Sequence, residues 1–290
     1  MTRPGTRRPR RYEVVTVLAL LAVLAGGVGP WVFETFVNTS AKDRIAADPP
    51  PALFPDATVE PLGARIADEQ PAAAALMTGW WRAHGDHAQD AAFATWLEAT
   101  LPPPPAAAAR QAEIRQVQAL APQRTDRGVA ASTWLEEHGK KDVWKLAVHD
   151  QAELLPTAAG DLRKQELDAV LSMSKDVADT LGTRYQQSAP YVVDPSLRTD
   201  HTVAPGQVCP CSYPSRHATA GAASRTFLAH FAPHRAADYR WDEEEIAYSR
   251  VYMAGHVPSD ITAGALLGDR IGEYFLVTRH HEAVPGTPAA

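Results

Sequence analysis

Cysteine is almost absent from this chain: 290 residues contain two, Cys209 and Cys211, spaced as Cys-Pro-Cys. No disulfide framework can therefore staple the fold. A structural zinc site needs about four ligands, and no second cysteine pair supplies them. The close pair itself leaves open a small strained ring or two thiols in a loop. Strand signals are also missing, since no alternating β-branched runs bounded by turn residues occur before residue 190. Gly-x-Gly-x-x-Gly, Gly-x-Ser-x-Gly and His-Glu-x-x-His do not occur, which excludes the dinucleotide cradle, the hydrolase elbow and the helical zinc pair. Lys140 and Lys141 follow Gly139, but without the upstream glycine and the following Ser or Thr they make no phosphate loop. His84, His87 and Asp90 lie close together, yet Gly85 breaks their spacing and no fourth ligand follows. They read as a solvated helix start rather than a metal site.

Basic charge is scarce everywhere but at the N-terminus. Arg3, Arg7, Arg8, Arg10 and Arg11 occupy the first eleven residues, and the remainder carries 23 basic against 34 acidic side chains, a net of −11. Nucleic acid is excluded as a partner, because its binders need a basic surface to neutralise phosphates. After the arginines, Val14 to Phe33 gives twenty residues without a charge, enough to cross a hydrocarbon core of about 30 Å as a helix. Arginines on one side predict a cytoplasmic N-terminus and an extracytoplasmic body. The alternative is a signal peptide cleaved near Ala25, giving a secreted protein. No later run reaches eighteen uninterrupted apolar residues, so a single span is expected. The resulting organisation is a basic tail (1–12), an anchor or signal segment (13–36), a Pro/Ala-rich tether (37–75), a helical domain (76–277) and a disordered tail (278–290) that includes His280 and His281.

Within the body, Trp80, Trp81, Phe93, Trp96 and Leu97 recur at helical steps, as an amphipathic helix pair requires. Helical patterns follow at about Ala106–Leu120, Val129–His138, Val143–Leu155 and Asp161–Leu181. A polar, proline-bearing stretch from Arg184 to Cys211 then reads as a long functional loop. Three further helices are expected at about Ser215–Phe231, Asp242–Met253 and Pro258–Phe275. In the last, Gly264, Gly268 and Gly272 recur every fourth residue. Each glycine costs roughly 1 kcal/mol of helix propensity, so this face predicts close helix packing. The fold class is all-α.

Two segments carry chemistry. In Ser212-Tyr213-Pro214-Ser215-Arg216-His217, a serine opens a helix whose free N–H groups and dipole attract anions. Arg216 adds a guanidinium fork and His217 a proton-exchanging imidazole. In the second, Arg250 again suits a phosphate, and Asp260 follows His256 by four residues, a spacing that lets the carboxylate reach one imidazole nitrogen and leave the other as a nucleophile.

These residues resemble the type 2 phosphatidic acid phosphatase superfamily, which includes class A acid phosphatases and vanadium haloperoxidases. Its motifs have the form K-x6-R-P, P-S-G-H and S-R-x5-H-x3-D. Ser249, Arg250, His256 and Asp260 fit the third motif at every position. Pro214, Ser215 and His217 fit the second with Arg216 in place of glycine. The first is degenerate: Pro190 survives, Ala189 stands at the arginine position, and Lys175 and Arg184 are candidate replacements for the lysine without its spacing.

The resemblance implies a helical bundle of the acid phosphatase/haloperoxidase type. It implies a metal-independent phosphomonoester hydrolase in which His256 forms a phosphohistidine, Asp260 orients it, and His217 serves as acid and then base. Arg250, Ser215 and backbone N–H groups would hold the phosphate, with Arg216 replacing a lost cation. No cofactor is implied, and vanadate would act as an inhibitor. The alternatives are a vanadate-dependent haloperoxidase, with vanadate as cofactor, and a weak or inactive surface-binding member. A phosphorylated small molecule or a lipid head group is the expected partner, with the membrane reached through the N-terminal helix. The sequence leaves the oligomeric state open.

Overall fold

A computed structural model describes residues 40–198 and 210–281. The N-terminal anchor or signal segment therefore lies outside the described residues, as do Cys209 and residues 282–290. Residues up to Ala47 and those from Asp48 onward form two separate units. The described part of the first is the short helix α1 (Ala41–Ala47).

The second unit is all-helical among the described residues: α2 (Asp56–Ala67), α3 (Gln70–His84), α4 (Asp90–Thr100), α5 (Ala107–Leu120), α6 (Asp126–His138), α7 (Asp142–Glu153), α8 (Thr157–Tyr185), α9 (Pro190–Val193), α10 (Arg216–Phe231), α11 (Ala236–Tyr252) and α12 (Pro258–His280). No helix among these residues is long and apolar enough to cross a membrane.

Two expectations change. The stretch read as a tether is helical from Asp56, and Val59, Leu62 and Ile66 bury one face of α2. Pro61 lies inside this helix and leaves the Ala57 carbonyl without its i+4 donor, so burial of the apolar face rather than helix propensity supports the helix here. The last helix also runs into the stretch read as tail, where His280 meets Glu166 at 3.0 Å and packs against Phe231.

The centre of the bundle is the α10–α12 pair, whose close approach depends on the glycine face. A Cβ at Gly264 would meet Ala218 Cβ at 2.9 Å, and one at Gly272 would meet the Ala223 carbonyl oxygen at the same distance. A side chain at Gly268 would fall onto the Thr219 carbonyl oxygen. These three positions let the backbones touch, so the first turns of both helices open on the same side of the molecule. Arg225 pins the pair to α11 by binding Glu243 at 2.8 Å and Asp269, all three buried or nearly so. On the far side, Phe93 stacks on Tyr274 at 3.9 Å beside Trp80 and Trp81, which accounts for the aromatic periodicity of α3 and α4.

Candidate active site

The open ends of α10 and α12 meet the α6–α7 turn around a cavity of about 230 Å³. His217, Arg216, Arg250 and His256 line it, together with Glu136, Lys140 and Asp179. Ser215 caps α10: its hydroxyl accepts from the Ala218 amide at 3.4 Å and its own amide donates to the Asp260 carbonyl at 2.8 Å. The cap leaves the first amide N–H groups of α10 without intrahelical acceptors. Ser215 itself is fully buried and does not line the cavity, so its part is to fix the helix start rather than to hold an anion.

His256 follows a tight turn in which buried Ala254 takes a φ of 57° and the amides of Gly255 and His256 both donate to the Arg250 carbonyl. Nδ1 of His256 lies 2.7 Å from the Ser212 carbonyl oxygen. A carbonyl can only accept, so Nδ1 carries a proton, and in the neutral ring the lone pair lies on Nε2. Asp260 is 3.8 Å from Nδ1, an ion-pair distance. The carboxylate thus stabilises the imidazole electrostatically, and the Ser212 carbonyl takes the hydrogen bond that the sequence spacing assigned to Asp260.

Asp260 is buried, and three groups hold it. Arg110 Nη1 donates to Oδ1 at 2.7 Å, Arg110 Nη2 to Oδ2 at 3.3 Å, and the Val257 amide to Oδ2 at 3.0 Å. Burial by itself would raise this carboxyl's pKa, but His256 and Arg110 outweigh it and hold the group below its ordinary value. Arg110 also donates to the Ser188 carbonyl and to Ser212 Oγ, so one side chain from α5 joins Asp260 to the segments carrying Ser188 and Ser212.

Arg250 is buried among α6 groups: Nη2 donates to the Ser132 carbonyl at 2.6 Å and Nη1 faces Glu136 Oε2 at 3.2 Å. His217 Nε2 donates to the Glu136 carbonyl at 3.1 Å. Burial first, then Arg250 and Lys140, push the His217 pKa well below its ordinary value, which favours the neutral imidazole. Arg216 binds Asp179 at 3.1 Å and remains partly exposed at the mouth.

Lys175 and Arg184 do not reach the cavity. Both project from α8 to other partners, Lys175 to Asp176 and Asp179 and Arg184 to Glu98, whose carbonyl and carboxylate it holds at 2.7 Å. They do not replace the missing lysine. Counting back from Pro190, that lysine position is Gly182, where even a Cβ would stand 3.1 Å from Cys211 Cβ. Cys211, which lines the cavity, is disulfide-bonded.

Arg110, Glu136 and Lys140 are absent from the motif reading. Away from the cavity, Asp48, Glu137 and His138 are the described residues with metal-ligand proximity. His138 is already shared between Asp48 at 3.0 Å and Asp142 at 3.1 Å, which accounts for the cluster as a paired histidine.

Residues 173–280 match the model of the PAP2 superfamily. No curated protein matches the chain. Among solved structures it is similar to a transmembrane PAP2-type phosphatidylglycerolphosphate phosphatase from Bacillus subtilis, at 16% identity over 64% of this chain and 92% of that one, with a TM-score of 0.45. PAP2 phosphatases are generally metal-independent, and the family match supports a phosphatase-like function.

Proposed function

We propose that the cavity hydrolyses a phosphomonoester through a phosphohistidine on His256. The observation that carries this is the hydrogen bond from His256 Nδ1 to the Ser212 carbonyl, which leaves Nε2 as a free nucleophile in a cavity lined by Arg250 and His217. Nε2 attacks phosphorus and the P–O bond to the leaving group breaks. Asp260, kept ionised by Arg110, balances the charge that develops on the imidazole. His217 supplies the proton to the leaving oxygen. A bound phosphate dianion offsets the burial and the like charges that lower this ring's pKa, and so lets it take up the proton it delivers. Water then attacks phosphorus, gives its proton to His217, and breaks the N–P bond.

The uncharged run 14–33 after five arginines supports a membrane-tethered protein with this site outside the cytoplasm, or a secreted one. The purified chain, assayed with p-nitrophenyl phosphate without added metal, should release phosphate and be inhibited by vanadate. His256→Ala should abolish turnover and the acid-labile phosphoprotein intermediate. Undiminished turnover in His256→Ala, or bromide oxidation with vanadate and peroxide in place of hydrolysis, would overturn the assignment.

A further inference from the structure

The phosphatase reading leaves the cavity short of cations, because the first-motif positions are Gly182 and Ala189 and α8 sends its own Lys175 and Arg184 elsewhere. We infer that Lys140, from the α6–α7 turn, takes over this part and binds the phosphoryl oxygens between Arg216 and Arg250.

The turn is built to hold the lysine in place. Gly139 presses against α11, where a Cβ would stand 2.9 Å from Ile246. The Gly139 carbonyl accepts from the buried Trp144 indole at 3.0 Å. His138 and Asp142 close the turn from either side at 3.1 Å. The next residue, Lys140, lines the cavity.

The state of its ammonium separates it from the other cations. Arg250 is committed to Ser132, Glu136 and Ser249, and Arg216 to Asp179. Lys140 makes no hydrogen bond or ion pair among the described residues, so all three of its donors remain available. Burial, then Arg216 and Arg250, hold its pKa below the ordinary lysine value, with Glu136 and Asp179 acting in the opposite direction through space. Glu136 and Asp179 answer Arg250 and Arg216, so Lys140 is the cation in this lining that no carboxylate pairs with, and its donors favour an anion there. Position 182 is tight for a side chain, since a Cβ there would stand 3.1 Å from Cys211 Cβ. Lys140 is thus placed as a phosphate-contacting residue of this reaction, outside the segment that matches the family.

The inference rests on the phosphatase reading, and the test separates the two. Using the full chain, inorganic phosphate and vanadate binding are measured by calorimetry and p-nitrophenyl phosphate hydrolysis by steady-state kinetics, for the parent, Lys140→Met, Lys140→Arg and Lys141→Met. Lys140→Met should weaken phosphate binding and raise KM at least tenfold without lowering the melting temperature. Lys140→Arg should restore most of the loss, and the neighbouring Lys141→Met should match the parent. A parent that binds phosphate with a Lys140→Met variant within twofold of it would overturn the inference and leave the phosphatase reading standing. A loss in Lys141→Met as large as in Lys140→Met would overturn it too, by reducing the effect to general surface charge. A parent that neither binds phosphate nor hydrolyses the ester would overturn both.

Discussion

Arg110→Met tests the support behind the nucleophile most directly. The variant keeps most of the side-chain volume and removes the guanidinium that holds Asp260 Oδ1 at 2.7 Å. Asp260 is fully buried, so its carboxylate would keep only the Val257 amide and the more distant His256. Removing one partner of a buried ion pair costs about 3–5 kcal/mol. The surviving amide bond places the expectation at the lower end, near 3 kcal/mol, a fall of roughly 6–12 °C in Tm for a domain of this size.

The pH dependence follows from the sign of the shift. In the parent, the Asp260 pKa lies below its ordinary value near 3.8, so its contribution is present above that pH and is lost as pH falls through the folded value. Without Arg110 burial is opposed by fewer groups and the folded pKa rises, which reduces the stability gained as pH climbs past about 4. The stability gap between parent and variant should therefore be widest at pH 7 and above and close towards pH 4. Loss of the ionised carboxylate should also lower kcat about 10- to 100-fold, equivalent to about 1.4–3 kcal/mol of transition-state stabilisation. Denaturant unfolding across pH, with a double-mutant cycle through Asp260→Asn, gives the coupling energy. A stability loss under about 1 kcal/mol, or a coupling energy within about 0.5 kcal/mol of zero, would refute the account of Asp260 as a charge held by Arg110.

Two further outcomes concern the bundle itself. Glu245 is buried, accepts one hydrogen bond from the Phe54 amide at 3.1 Å, leaves Oε1 without a partner, and has its pKa pushed up to about 7, chiefly by burial. Its folded value exceeds the unfolded 4.5, so the parent loses stability as pH rises from 4.5 through 7. Glu245→Gln should remove up to about 3 kcal/mol of that slope, and equal slopes for the two proteins in unfolding experiments at pH 5 and 8.5 would count against it. Gly268→Ala should destabilise by about 1–3 kcal/mol or more, because its methyl group would fall onto the Thr219 backbone and neither helix can retreat without opening the other glycine contacts. A melting temperature equal to the parent's would mean that α10 and α12 do not pack this closely.

The His256–Asp260 pair was readable in the sequence because its spacing is local. Five residues separate Arg250 from His256 and three separate His256 from Asp260, so a fixed spacing on one turn and one helix start carries the pattern. Arg110 was hidden because it reaches Asp260 from 150 residues away, and nothing in the alanine-rich α5 distinguishes it from a solvated arginine. Glu136 and Lys140 were hidden for the same reason, since only tertiary packing sets the α6–α7 turn against Arg250. The misplacement of Lys175 and Arg184 has the opposite cause. Closeness in sequence to Pro190 suggested the site, whereas their positions on α8 turn them towards Asp176, Asp179 and Glu98. The α2 helix escaped notice because Pro55 and Pro61 gave it the composition of a linker, while its four buried positions sit at helical spacing.

The contacts of Arg110, Ser132 and Glu136 with Asp260, Arg250 and His217 bear on what can be cut from this protein or grafted elsewhere. The segment matching the family begins at residue 173, yet these three residues, which hold its acid, its arginine and its histidine, all lie upstream. A fragment trimmed to the recognisable segment would keep every motif residue and lose the groups that set their charge and direction. The heritable unit of this site is therefore wider than its signature.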